Sequence, residues 1–139
     1  MAHNVEDVQT RIVWVADALI PPDYSLGMPS ATQAGVQERL LPRALKERDD
    51  MAESFFNALL RLPEECPVDP LGAIRALGPD DFYVISFLIA GAYFLDETVA
   101  RKLRYPGQEA LYETPDYDDI MEAVERVESR GSVYLDVRD

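Results

Sequence analysis

The sequence predicts an all-α protein: an irregular single-domain bundle of about six or seven helices over residues 4–131, with an extended tail at 132–139. Three observations predict it. Apolar residues recur at three- and four-residue spacing through most of the chain. These runs are bracketed by capping residues or prolines at their starts and by proline or glycine at most of their ends. Only one clear stretch, SVYLDV from Ser132, alternates apolar and polar residues as a strand does, and no second clear strand is present to pair with it.

Taken in order, Val5, Val8, Ile12, Val15, Ala16 and Leu19 form the face of a first helix, with Asn4 as N-cap and Asp7 three residues later. It stops at Pro21-Pro22, because a proline disfavours helical geometry in the residue before it. PPDYSLGMP is then a loop. Ser30 opens a second helix through the capping-box spacing Ser30-x-x-Gln33, with Val36, Leu40, Leu41 and Leu45 as its apolar face. Gly35 weakens it, and Pro42 is expected to kink or split it. Arg39, Arg43, Lys46 and Arg48 put its positive charge where the helix dipole favours it.

Met51, Phe55, Leu59 and Leu62 mark a third helix, ending at Pro63. In DPLGAIRALG, Asp69 is the N-cap, Pro70 the first helical residue and Gly78 the stop of a short helix. Asp80 or Asp81 starts the most hydrophobic helix, to about Phe94; apolar on nearly all sides, it is expected at the centre of the bundle. Asp96 caps a short helix, ETVARKL. Tyr105-Pro106-Gly107 makes a turn of type II, with glycine supplying the positive φ. Thr114-Pro115 begins the last helix, whose face is Tyr117, Ile120, Met121, Val124 and Val127 and whose stop is Gly131.

At 139 residues the chain fits one domain with one real core. Its 26 acidic and 13 basic side chains give a net charge of −13. Such a surface repels phosphate backbones, which excludes nucleic acid and anionic membranes as favoured partners and favours a basic one. The other reading of that charge is solubility alone. Cys66 is the single cysteine, so no intramolecular disulfide forms. YVISFLIAGAYFL, from Tyr83 to Leu95, is an apolar run of 13 residues. That is short of the roughly 20 that cross a bilayer, so no direct membrane insertion is expected. MAHNVEDVQTRIV shows no export signal, and a cytoplasmic location is expected.

With His3 and Cys66 each alone of their kind, the sequence offers no Cys/His zinc spacing and no Ser-His or Cys-His pair. DYDDIMEAVERVE fails as a calcium loop, because Ile120 and Met121 stand where Asp or Asn and then Gly are required, and Val127 replaces the final Glu. Between Glu109 and Glu128 lie eight acidic side chains against one basic one, Arg126. That run reads as a solvated helix face or as a docking surface for a basic partner. No catalytic, cofactor-binding or metal-binding residue is therefore expected in this chain. Trp14, Tyr24, Tyr83, Tyr93 and Tyr117 are expected mainly in the core. Tyr105 and Tyr112 sit in a connection, where a ring must pack back on the domain or be offered to something else.

Three separated stretches, DALIPPD, PSATQAGV and GAYFLDETVARKLRYPGQ, carry a resemblance by their order and spacing. Over roughly Trp14 to Gln108 the chain resembles the subunit 3 family of gluconate 2-dehydrogenase. The resemblance implies a small helical subunit without flavin or haem of its own. It would accompany a larger FAD-containing dehydrogenase subunit, often with a cytochrome c subunit, and support maturation or export of the large one. Many members carry a twin-arginine signal; this sequence shows none, so export would depend on the partner. The matching positions are Pro21, Pro22, Asp23, Ser30, Ala31, Ala34, Gly35, Tyr105, Pro106 and Gly107. They are taken as structural or interface positions, with Tyr112 beside them. Two alternatives stand next to this reading. One is a stand-alone small-molecule-binding or enzymatic domain with a pocket lined by Tyr83, Tyr93, Phe94 and Tyr105. The other is a homo-oligomeric interaction protein whose final helix and tail pair with a symmetry mate.

Overall fold

In the computed structural model, which describes residues 3–108, 110 and 114–132, the apolar spacing becomes seven α-helices among the described residues. The fold is all-α. The expected tail from residue 133 onward, and Tyr112, lie outside the described residues. The chain divides into two compact units, Met1–Gly107 and Gln108–Asp139; six of the helices belong to the first and one to the second.

The first unit opens on the predicted cap. Asn4 Oδ1 accepts from the Asp7 amide at 3.1 Å, and the Asp7 carboxylate accepts from the Asn4 amide at 3.0 Å. These bonds hold Val5–Val8 as a tight 3-10 turn, and α1 follows as Gln9–Leu19. The helix predicted from Ser30 starts later. The Ser30/Gln33 box forms, with bonds of 2.9 and 3.2 Å, but Gly35 takes φ +83 and breaks the run. Val36–Leu40 is then a wide π turn, and α2 is Leu41–Glu47. Pro42 sits in the first turn of α2, where the helical run divides into the π turn and the α-helix. A proline clashes with the carbonyl four residues back and has no N–H to donate. The wide turn ahead of it, closed by Leu41 N–H to Val36 O, meets both demands.

Helices α3 (Asp49–Leu60), α4 (Pro70–Arg75), α5 (Pro79–Phe94) and α6 (Glu97–Lys102) follow. Asp69 caps α4 by accepting from the Gly72 amide at 2.9 Å. The start of α5 is Pro79 rather than Asp80 or Asp81: a fixed φ and a missing N–H suit the first helical position. Helix α5 packs against α2, α3, α4, α6 and the π turn, while α1 packs on α4 and the π turn. Ile85, Leu88, Ile89, Ala92 and Tyr93 bury the inner side of α5 among Ile12, Val15, Leu41, Phe55, Leu59 and Ile74. The α5 helix is thus central but not enclosed. Tyr83, Phe87 and Phe94 stay 57%, 40% and 58% exposed on its outer side, although the sequence makes the helix apolar on nearly all sides. Their spacing puts them on one helical stripe, and the Arg48 guanidinium covers Phe87 at 5.1 Å.

In the second unit, α7 is Tyr117–Arg130. Its N-cap is Asp116, not Thr114, because the Asp116 carboxylate accepts from both the Asp118 and Asp119 amides. Gly131 ends it at φ +73. The predicted apolar face is there, and Tyr117, Ile120, Met121, Val124 and Val127 are all exposed.

The inner and outer faces of unit one separate cleanly by mutation. Phe55→Ala removes a fully buried ring and is expected to cost about 3–5 kcal/mol. Phe94→Ala, on the exposed side, is expected to cost roughly 1 kcal/mol or less. Urea denaturation of the two variants measures the difference.

Candidate docking surface

The loop after α1 is closed by its own backbone. Asp23 and Met28 exchange two hydrogen bonds, of 3.0 and 2.9 Å. Inside the ring so formed, Asp23 Oδ1 accepts from the Ser25 amide, the Ser25 hydroxyl and the Leu26 amide. The Ser25 hydroxyl, then the Leu26 amide, hold the Asp23 carboxyl below its ordinary range. Gly27 supplies φ +65 for the return. With the backbone fixed this way, Tyr24 and Leu26 point outward, 87% and 73% exposed.

Four tethers bind this loop and the turn behind it to three helices. The Ala31 amide donates to Ile20 O at 3.0 Å. Thr32 donates its amide and its hydroxyl to the two oxygens of Asp17 on α1, at 2.9 and 2.6 Å. The Tyr93 hydroxyl of α5 donates to Pro29 O at 2.8 Å. Lys102 of α6 donates to Gly27 O.

Asp96 joins the same corner from the other side. One carboxylate oxygen accepts from the Thr98 and Val99 amides, capping α6 at 3.1 Å each. The other accepts from Arg39 at 2.9 Å, and Arg39 also donates to Ala34 O. Burial alone would push the Asp96 carboxyl up. The Arg39 hydrogen bond, the Val99 amide, the Arg39 charge and the Thr98 amide together outweigh it and hold the group below the ordinary 3.8. Burial, and then the Asp96 charge, push the Tyr93 hydroxyl up. Pro29, Gln33, Ala34, Arg39, Asp96, Thr98 and Lys102 line a cleft of ≈ 320 Å³ at this corner.

The structure therefore brings together segments that are 75 residues apart in the chain. It sorts the predicted positions by burial. Ser30, Ala31 and Ala34 are buried, and Gly35 makes the left-handed break, so these four shape the backbone. Pro21, Asp23, Tyr105 and Pro106 are exposed, Pro22 and Gly107 half-buried. Gly107 has the positive φ expected of the turn, +94.

The four rings of the expected aromatic pocket have different surroundings. Tyr93 is buried against Pro29, whereas Tyr83, on the exposed stripe of α5, stacks on Phe87 with ring centroids 5.5 Å apart. Phe94 and Tyr105 face outward. Tyr24, Tyr83 and Tyr117, expected mainly in the core, are exposed as well. A helical period places a ring on a face; it does not say that another element covers that face. Among the described residues, no three His, Cys, Asp or Glu side chains converge as metal ligands, and no helix is long and apolar enough to cross a membrane. Arg39 and Lys102, which hold the corner, carry no sequence signal as site residues; Tyr93 does, as a ring of the expected pocket, and it instead ties down Pro29. Only the capping role of Asp96 is visible in advance.

In the second unit, Ile120, Ala123, Val124, Val127 and Glu128 line a shallow groove of ≈ 350 Å³ along α7. Neither a family model, nor a curated protein, nor a solved structure matches this chain.

Removing the Asp96 carboxylate strips α6 of its cap and Arg39 of its partner. Asp96→Ala is expected to cost about 1–2 kcal/mol at pH 7. The Asp96 carboxyl titrates below its unfolded value, so its contribution is complete above that value and disappears as the pH falls through the folded one. The gap between variant and wild type is thus expected to close below pH 3.8. Paired urea midpoints at pH 7 and at lower pH check the sign.

Proposed function

We propose that this chain is a non-catalytic accessory subunit that docks on a larger FAD-dependent dehydrogenase subunit and supports its maturation or stability. The flavin belongs to the partner, and a cytochrome c subunit fits the same assembly. The observation that carries the reading is the Lys102 bond to Gly27 O. It joins the loop after α1, between the first two resembling stretches, to the end of α6, inside the third. Together these hold Tyr24, Leu26, Leu103 and Tyr105 in the open on a bundle whose core is already filled. Large apolar side chains held out by a rigid, polar-rimmed backbone favour protein recognition. The net charge of −13 supports a partner whose facing surface is mostly basic.

The test is co-expression with candidate FAD-dependent dehydrogenases. Recovery of a complex is expected, and Leu26→Asp with Tyr105→Asp is expected to lower the dehydrogenase recovered at least ten-fold while the bundle stays folded. A large subunit equally soluble and active without this chain overturns the reading.

One observation favours a second reading, homo-oligomerisation through α7. Tyr117, Ile120, Val124 and Val127 follow a seven-residue a/d spacing on an exposed face. Asp118, Asp119, Glu122 and Glu125 fall at outer positions of that pattern, clear of the seam. Sedimentation of the free protein decides: a dimer that Val124→Glu converts to monomer supports this reading, and a monomeric wild type removes it.

A further inference from the structure

The C-terminus of α6 is built on a residue that its backbone disfavours. Tyr105 N–H donates to Ala100 O at 2.9 Å and Arg104 N–H to Arg101 O at 3.0 Å, the paired bonds of a Schellman stop. The residue after the cap in such a stop adopts left-handed geometry and is usually glycine, which has no Cβ to clash. Here it is Arg104, at φ +55. Gly27, Gly35, Gly78, Gly107 and Gly131 fill the other positive-φ positions among the described residues. The chain thus uses glycine wherever backbone shape alone is needed, and at this one place keeps a long cationic side chain instead.

That side chain borders a cleft of ≈ 480 Å³ lined by Glu97, Ala100, Arg101, Arg104, Tyr105 and Pro106. The cleft is open to solvent and has the volume of a small ligand-binding cleft. Two guanidinium groups line it, and neither joins an ion pair among the described residues. Tyr105, 60% exposed, and Pro106 add an apolar platform. With Lys102 beside them, these arginines make a cationic island in a chain of net charge −13.

We infer that this cleft binds a carboxylate-bearing peptide segment of a partner protein. Arg101 and Arg104 take the carboxylate oxygens, and Tyr105-Pro106 supports an adjoining apolar side chain. Guanidinium forks match carboxylates with two parallel hydrogen bonds, which gives geometric selection as well as attraction. A long polyanion such as a nucleic acid meets the repulsion of the whole chain, whereas a short acidic segment meets mainly the two arginines, with Glu97 the one carboxylate among the residues that line the cleft. The inference deepens the docking reading and rests on it for the identity of the partner, not for the chemistry of the cleft.

The full chain is titrated, by fluorescence anisotropy, with a labelled, C-terminally amidated Leu-Glu-Glu-Leu peptide and with its Leu-Gln-Gln-Leu counterpart. The Glu peptide is expected to bind at least five-fold tighter than the Gln peptide. Arg104→Gly relaxes the backbone, so it is expected to raise Tm by about 2–5 °C while abolishing that preference. Arg104→Lys, which keeps the charge but not the fork, is expected to retain part of it. Equal affinity for the two peptides, unchanged Glu-peptide affinity in Arg104→Gly, or tighter binding of a single-stranded oligonucleotide overturns the inference. The assay contains no dehydrogenase. A cleft that binds the Glu peptide in a chain that never captures a dehydrogenase sinks only the docking reading. A dehydrogenase captured undiminished by Arg104→Gly, with no peptide preference, sinks only this inference.

Discussion

From Phe82 to Phe94, α5 carries no charged side chain, and its one aliphatic hydroxyl, on Ser86, turns back to Phe82 O at 2.7 Å. Such a helix is stable in water only if other elements remove its surface from solvent, at roughly 1.5–3 kcal/mol for each large apolar side chain fully buried. The arrangement of α2, α3, α4 and α6 around it answers that demand. Arg61 on the loop after α3 pairs with Asp81 in the first turn of α5, and Arg11 of α1 reaches Leu62 O at 2.9 Å. These polar ties lie at the rim of the apolar contacts and set where the helices stop sliding.

The exposed corner is a consequence of where α5 ends. Tyr93 is the last buried ring of that helix, and its hydroxyl needs a partner once the ring is out of water. Pro29 O supplies it, which fixes the end of the loop that carries Tyr24 and Leu26. Three residues on, Asp96 must be satisfied for the same reason, and the α6 amides and Arg39 do so. Through Arg39 and Ala34 O, the π turn is joined to the cap. A shift of α5 would therefore move the loop, the π turn and α6 together, so the surface inherits the rigidity of the core.

How much of this was legible depends on range. The caps at Asn4, Asp69 and Asp96 are local, because each side chain binds amides two or three residues away, and composition at that spacing reveals them. The central place of α5 was legible for a similar reason: a long uncharged run has no other stable location. Local signals also misled. Ser30 and Gln33 form their box, yet no helix follows directly, since the αL break at Gly35 outweighs one capped turn. At Pro42 the sequence shows the conflict but not the wide turn that resolves it. Which aromatic rings are covered was illegible altogether, because covering is a property of what lies across from a face. Tyr83 and Tyr93 show it, ten positions apart on the same helix, one in the open and one buried.

The two charge scales of the molecule do different work. Salt screens exposed charges beyond about 8–10 Å, so the net −13 acts on an approaching partner only at close range and mainly biases encounter. Once surfaces touch, individual groups dominate, and α6 with its stop, about 9–12 Å long at a helical rise, is comparable to that screening length. Within it Asp96 is already engaged by Arg39 and the α6 amides, while Arg101 and Arg104 face a cleft. A partner that is basic elsewhere but acidic at one spot satisfies both scales in one orientation only. A partner uniformly basic would be attracted and then left with the Arg101 and Arg104 guanidinium groups, which join no ion pair among the described residues, facing like charge. Keeping Arg104 in a conformation that glycine would adopt more easily is intelligible on that ground: the side chain contributes orientation, which the backbone of the stop cannot.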